Sequence, residues 1–557
     1  MSDLTGLVSN SDDHFSRDVA GLPLASPPEA VRLRHGEHFG LRIGPVAKRI
    51  GDDGVRMLAY NGSIPGPVLH VDQGSEIVVD VTNDGDTEAT VHWHGLRLEN
   101  RYDGVPHETQ LPIAVGQTFS YKVQFPDAGF YWYHPHVRED YGLEMGLYGT
   151  IVVEPTDPAY WPLADRQLSI TLDDILVEDG RIAPFSRADL SFTGMGRFGN
   201  VMLTNGETSF STAVAAGEVV RLCLVNTANT RTFSVRLPGV RMKLVGGDGG
   251  RYEHETFVED VLLAPSERAV VDVLFDAPGE VSLQHRTPEK TYELGRFSVV
   301  DAGTAAGAAA RRFDQLRTDP ELTAVRQSLA YDLERAPDKV LALSSLMPLL
   351  YGGDEARADS YACPMHPEVT SAEPATCPKC GMKLVPSSGM PAAAHGPERH
   401  PEGHHEGGHG DHAEDGIEWE DLMPEINRQT NASNMIWKLI DRQTGDENTA
   451  IRWAFRVGDR VKIRLVNEME GSEHPMHHPF HIHGAGRFLV LSRDGKPEAN
   501  LVWKDTVLIL SGQTVDILLD VSNPGRWMAH CHIAEHNQAG MMFSFDVSRS
   551  DPSPVGA

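Results

Sequence analysis

Gly458-Asp-Arg-Val-Lys-Ile-Arg-Leu-Val-Asn467 decides the fold, because the same frame stands at two earlier places. It reads Gly217-Glu-Val-Val-Arg-Leu-Cys-Leu-Val-Asn226 in mid-chain and Gly74-Ser-Glu-Ile-Val-Val-Asp-Val-Thr-Asn83 near the start. Apolar residues alternate with others in the second and third copies, the period of a strand with one buried face. A second element follows each copy, at Gly116 to His134 (GQTFSYKVQFPDAGFYWYH), Ser266 to His285 (SERAVVDVLFDAPGEVSLQH) and Gly512 to His530 (GQTVDILLDVSNPGRWMAH). Each is a strand, a glycine-containing turn and another strand. A unit used three times with this strand spacing predicts an all-β chain of three β-sandwiches, over 30–158, 159–302 and 416–550.

Between the second and third copies the sequence changes character. Residues 303–360 carry an Ala-, Arg- and acid-rich stretch that predicts a partly helical linker. Residues 361–386 form a compact Cys/Met/His segment, and 387–415 a Gly-, Pro- and His-rich tether. Of 557 residues 49 are Lys or Arg and 79 Asp or Glu, a net charge of −30 that argues against a nucleic-acid partner. No apolar run approaches the ~18 residues of a membrane span. The five cysteines are too few for a disulfide framework, and three of them lie together in 363–380, as a metal site would have them.

Histidine carries the chemistry. The first module holds His92-Trp-His94-Gly95 and His134-Pro-His136, and the third holds His481-Ile-His483-Gly484 and His530-Cys531-His532. The second module retains only His285 at the matching strand end, so the outer modules supply ligands and the middle one acts as a spacer. On a strand, residues i and i+2 share a face, so each pair offers two imidazoles to one side. Eight imidazoles from two modules can meet at one interface and hold several metal ions. Cys531 points opposite to His530 and His532. With His478, His536 and Met541 it forms the thiolate, two-imidazole and weak thioether set of a blue-copper site.

The motifs HWHG (92–95), HPH (134–136), HPFHIHG (478–484) and HCHIAEHNQAGM (530–541) resemble the four copper signatures of the multicopper oxidases, the family of laccases and copper-efflux oxidases. The resemblance covers 30–302 and 416–550. It implies cupredoxin-like Greek-key sandwiches and four copper ions. A type 1 copper would be held by His478, Cys531, His536 and Met541, and a type 2 copper by His92 and His481. A type 3 pair would take His94, His134, His136, His483, His530 and His532. It further implies one-electron oxidation of a phenol, an aromatic amine or Cu(I), coupled to reduction of O2 to water. Cys531 would be the electron path, with Asp103 and Glu535 as proton relays or orienting groups.

The segment 361–386 resembles a small heavy-metal-binding module with a CPMHP…CPKCGM pattern. Its Cys363, His366, Cys377 and Cys380 would hold copper or a structural zinc. The tether histidines 395, 400, 404, 405, 409 and 412 read either as loose Cu(II) or zinc ligands or as plain linker. His474, Met476 and His477 are open to a docking role or none. The competing function is copper sequestration with little turnover. The first residues lack a basic start and an apolar core, so the chain as written reads as cytoplasmic, whereas the family is usually exported.

Overall fold

The computed structural model describes residues 14–301, 303, 307–347, 361–362, 369–371, 375, 384–386, 416–468 and 476–549. Each repeat copy becomes a strand at the centre of one sheet: Glu76–Asn83, Glu218–Asn226 and Arg460–Asn467. Each pairs antiparallel with the first strand of the second element, Thr118–Gln124, Arg268–Phe275 and Thr514–Val521 respectively. The repeated residues at the two ends have physical duties. Gly74, Gly217 and Gly458 take left-handed φ of 81°, 83° and 99°, open to glycine without a Cβ penalty. Asn83, Asn226 and Asn467 donate their buried amides to loop carbonyls, such as Ile113, Leu263 and Met476, and so tie the following loop to the sheet.

On its other edge each copy pairs in parallel with an earlier strand: His38–Ile50, Arg166–Ile175 and Lys339–Leu346. The third of these corrects the sequence reading, which placed 303–360 in a helical linker and began the last sandwich at 416. Helices do form at Ala308–Arg312, Pro320–Ser328 and Ala330–Glu334, but Lys339–Leu346 is a strand of the last sandwich. It pairs on its far side with Ile436–Asp441, so 361–386 and the tether lie between two strands of one sheet. Leu341, Ala342 and Leu343 are all buried, so the strand lacks the alternation that would have marked it.

The helices brace the two later sandwiches from outside. Ala309 and Phe313 pack on Val219 and Leu274 of the middle one, and Leu322 and Leu329 on Leu489, Leu491 and Leu518 of the last. Pro320–Ser328 is capped by Asp319, whose carboxylate accepts from the Glu321 N–H at 2.8 Å.

The second sheet of each outer sandwich sets the site. Strand His92–His94 pairs with Gly129–His134 so that His92 faces His134. Strand His478–Ile482 pairs with Gly525–Cys531 so that His481 faces His530 and Phe480 faces Cys531. Register thus brings the two histidine motifs of each module side by side before the modules meet. Among the described residues no helix is long and apolar enough to cross a membrane.

Candidate metal centre

Cys531 ends its strand, and the short helix Ala534–Gln538 turns the chain back so that His536 returns to the sulfur. Cys531 Sγ lies 3.4 Å from His478 Nδ1 and 3.7 Å from His536 Nδ1, all three residues buried. The turn is closed by main-chain bonds from Met541 N–H to His536 O (3.0 Å) and from Cys531 N–H to Met541 O (3.1 Å). Met541 is fully buried in the same apolar core. The Ile533 N–H points at the sulfur at 3.5 Å. Trp437 lies over His536 with ring centroids 4.1 Å apart. Burial pushes the Cys531 thiol up, so the sulfur keeps its proton until a soft cation displaces it and binds the thiolate.

The eight paired imidazoles converge between the first and last sandwiches. His92 faces His483 with centroids 4.1 Å apart, and His94 stacks on His481 at 3.9 Å. His134 meets His532, and His136 meets His530, both at 5.2 Å. His92 and His481 are 5.7 Å apart. Nitrogens of His92, His481 and His483 lie within 4.8 Å of one another, as do those of His136, His483 and His530. All eight side chains are buried. Burial lowers His134 and His483 to about 3 and His532 to about 4, leaving neutral rings with lone pairs to give.

Second contacts decide which nitrogen six of the eight rings turn inward. His92, His481, His483, His134 and His530 place Nδ1 against an oxygen: Asp103 O (2.7 Å), Asp505 O (2.9 Å), Asp103 Oδ2 (2.8 Å), Pro135 O (2.9 Å) and Cys531 O (2.9 Å). Their Nε2 atoms are left for the centre. Those of His483 and His530 are 3.1 Å apart, and those of His92 and His481 are buried with no hydrogen-bond partner. His94 is reversed: its Nε2 meets Asp505 Oδ1 (3.0 Å) and Thr506 Oγ1 (3.2 Å), and its Nδ1 faces His134 Nε2. Buried imidazole nitrogens without a partner, in a set of rings of which these six are oriented by an oxygen behind them, are what a metal cluster requires. The donor set of imidazoles plus one thiolate fits copper.

The two acids singled out from sequence stand differently. Asp103 is fully buried and bridges modules one and three, with carboxylate oxygens 3.4 Å from His92 Nδ1 and 2.8 Å from His483 Nδ1. Glu535 is buried too, but its hydrogen bonds go to Asn229 (3.0 Å) and Thr230 (3.2 Å) of the middle sandwich. Burial pushes its carboxyl up to about 7.

Sequence reasoning missed Glu139 and Asp505. Glu139 lies 3.1 Å from His134 Nδ1 and 3.7 Å from His532 Nε2, and accepts from the Asn537 amide at 2.8 Å. Its position three residues past His136 was a local signal. Asp505, more than twenty positions past His483, gave none. His285 of the middle module is a structural residue, accepting from the Ser234 N–H at 3.0 Å and stacked on Tyr292. Met476 and His477 are buried, not a docking surface; His477 accepts from the Glu418 N–H at 3.1 Å. The accessory Cys363, His366, Cys377 and Cys380, the tether histidines and His474 lie outside the described residues.

Models of multicopper oxidase domains match residues 46–158, 176–283 and 422–551, one per sandwich. The chain belongs to the multicopper oxidase family. It is therefore a copper-binding oxidoreductase that uses O2 and a reducing substrate. A further model, heavy metal binding domain, matches 360–387. Among curated relatives, "Multicopper oxidase MmcO" of Mycobacterium tuberculosis is 26% identical over 95% of this chain and 91% of its own length. "Laccase-1" of Botryotinia fuckeliana is 26% identical over 89% and 80%. "Copper resistance protein A" of Escherichia coli is 23% identical over 93% and 93%. A multicopper oxidase structure from Pseudomonas thermotolerans aligns with TM-score 0.62 at 23% identity, covering 93% of this chain and all of that one. A Campylobacter jejuni multicopper oxidase, described as a metallo-oxidase, aligns with TM-score 0.62 at 21% identity over 95% and 98%.

Proposed function

We propose that this multicopper oxidase holds four coppers in the ligand sets read from the sequence, and that Cu(I) is its principal reductant. The single observation that carries the ligand assignment is the position of Cys531. Its sulfur sits with His478 and His536, while the flanking His530 sits with His136 and His483. One residue of backbone therefore joins the two ligand sets covalently. Type 1 copper takes His478, Cys531, His536 and Met541; type 2 takes His92 and His481; the type 3 pair takes His94, His134, His136, His483, His530 and His532. When bound, copper supplies the one-electron chemistry and the site of O2 reduction.

The chain's own residues supply the rest. Asp103 spans the type 2 ligand His92 and the type 3 ligand His483, so it orients both and stands at hand to pass protons toward the cluster. Glu139, hydrogen-bonded to Asn537, does the same on the side of His134 and His532. A cleft of about 420 Å³ between modules one and three, walled by Val105, His107, Met528, Met542 and Phe543, reaches His136 and gives small molecules a way to the cluster.

The preference for Cu(I) rests on three features: the heavy-metal-binding segment, the histidine-rich tether that follows it, and the −30 charge that attracts cations. In this reading Cys363, His366, Cys377 and Cys380 take up an additional Cu or Zn ion. A relative named for copper resistance points the same way, while the likeness to a laccase supports phenols as a second reading. Copper analysis with absorption and EPR spectra tests the ligand assignment: four coppers per chain, plus any on the accessory segment, are expected. Turnover of Cu(I) and of a phenol is then compared with and without 361–412. Cu(I) kinetics unchanged by the deletion remove the metal-acquisition argument, and failure of the copper-loaded protein to consume O2 favours sequestration.

A further inference from the structure

The middle sandwich supplies no imidazole to the cluster, yet one of its side chains reaches the cluster's rear wall. Arg268 opens the strand Arg268–Phe275 and is fully enclosed where the three sandwiches meet. Its guanidinium forks onto Asp505 of the last sandwich, Nη1 to Oδ1 at 2.7 Å and Nη2 to Oδ2 at 2.5 Å. The remaining donors go to Phe130 O of the first sandwich (3.3 Å) and to Ser266 O (3.1 Å) and Asp248 O (3.0 Å) of its own. A rigid planar fork with five donors can satisfy three modules at once, which a lysine cannot.

Asp505 passes that constraint to two proposed ligands. Its Oδ1 accepts from His94 Nε2–H at 3.0 Å, and its main-chain oxygen accepts from His481 Nδ1–H at 2.9 Å. Thr506, paired in register with His481, adds its hydroxyl at 3.2 Å from His94 Nε2 and 3.1 Å from His481 Nδ1. Ser266 of the middle sandwich meets that hydroxyl at 3.2 Å. His94 is the ring whose tautomer is reversed relative to His92, His134, His481, His483 and His530, and Asp505 is the carboxylate behind it. A carboxylate free to rotate would let His94 flip and offer Nε2 instead of Nδ1.

We infer that Arg268 is a positioning residue of the trinuclear site: through Asp505 the copper-free middle sandwich sets the tautomer of His94 and the aim of His481. Gly95 fits the same design, since a Cβ there would lie 2.5 Å from Asp505 Oδ2 and 2.7 Å from Arg268 Nη2. The glycine of the His-x-His-Gly motif leaves room for the fork.

The inference rests on the ligand assignment above. The test uses the full chain loaded with copper, in wild type, Arg268→Met, Arg268→Lys, Asp505→Asn and Arg221→Met. Arg221 makes a comparable buried fork onto Asp272, within the middle sandwich alone, and measures the general cost of losing one. The readouts are the blue type 1 absorption, the type 2 EPR signal, and copper retained against a chelator series. Loss of a group that orients a ligand weakens metal holding roughly 10- to 100-fold. In Arg268→Met and Asp505→Asn the type 2 signal should change and cluster copper should leave at ~10- to 100-fold less chelator, with the blue band kept. Arg268→Lys should fall between, and Arg221→Met should behave as wild type. Retention equal to wild type in the first two variants overturns the inference. So does loss of blue band and cluster copper in the same proportion in every variant that folds, Arg221→Met included. Should Arg268→Met not fold, Asp505→Asn and Arg268→Lys are read by the same criteria. A wild type that holds no cluster copper sinks the ligand assignment instead.

Discussion

Replacing Gly95 by alanine isolates the cost of crowding the Asp505–Arg268 fork. Gly95 has φ +84°, where an L-residue costs ~1–2 kcal/mol. Its new Cβ would stand 2.5 Å from Asp505 Oδ2 and 2.7 Å from Arg268 Nη2. Neither neighbour is a loose end, because each is buried and bonded to the other. Relief therefore requires opening a buried ion pair, worth ~3–5 kcal/mol when broken. The two terms sum to ~4–7 kcal/mol, a large share of the ~5–15 kcal/mol by which domains are stable. Gly239 is the control, with φ +86° and nothing within 4 Å of its Cβ, so Gly239→Ala bears the backbone term alone. Urea unfolding of the metal-free proteins should place Gly95→Ala ~3–5 kcal/mol below Gly239→Ala at matched slopes. Agreement of the two variants within ~1 kcal/mol would show that the fork yields freely, and the argument from its rigidity would be refuted.

Three other outcomes follow from the geometry. Cys531→Ser should abolish the blue absorption and bring O2 consumption to background while the paired imidazoles still take up metal; a retained blue band would relocate the type 1 site. His134 and His483 are held near 3 and His532 near 4 in the folded chain, against 6.5 when free. Depressed imidazoles favour folding above 6.5 and lose that advantage as pH falls, ~1.4 kcal/mol per pH unit for each ring. The metal-free protein should therefore weaken steeply below pH 6.5, and a flat urea midpoint from pH 6.5 to 5 would contradict this. Glu144 shows the opposite sign. Burial, only partly offset by Arg197, lifts its carboxyl from 4.5 to about 7. The unfolded chain ionises first as pH rises from 4.5 to 7, so the native state loses ~3 kcal/mol over that window. In Glu144→Gln that decline should be absent, and an unchanged difference curve between pH 4.5 and 8 would exclude Glu144 as its source.

The copper motifs were legible because their geometry is local. His92 and His94, or His481 and His483, share a strand face whatever the rest of the chain does, and Cys531 turns away from its two neighbours for the same reason. The sandwiches were legible because a ten-residue frame occurs three times with its Gly turn and its Asn tie. The strand Lys339–Leu346 was not, since a strand buried on both faces carries no period-2 pattern and this one follows strong helix formers.

The sequence by itself determined which residues are the candidate ligands and which sandwiches carry them. Only the tertiary structure decided what stands behind those ligands: Asp505 and Arg268 behind His94, Glu139 and Asn537 behind His134, and Asp103 rather than Glu535 against the cluster rings. The physical reason is separation along the chain. Arg268 and Asp505 are 237 positions apart, and His94 and Asp505 are 411. No spacing rule spans such gaps; they close only when three sandwiches pack and a buried charge must find its partner.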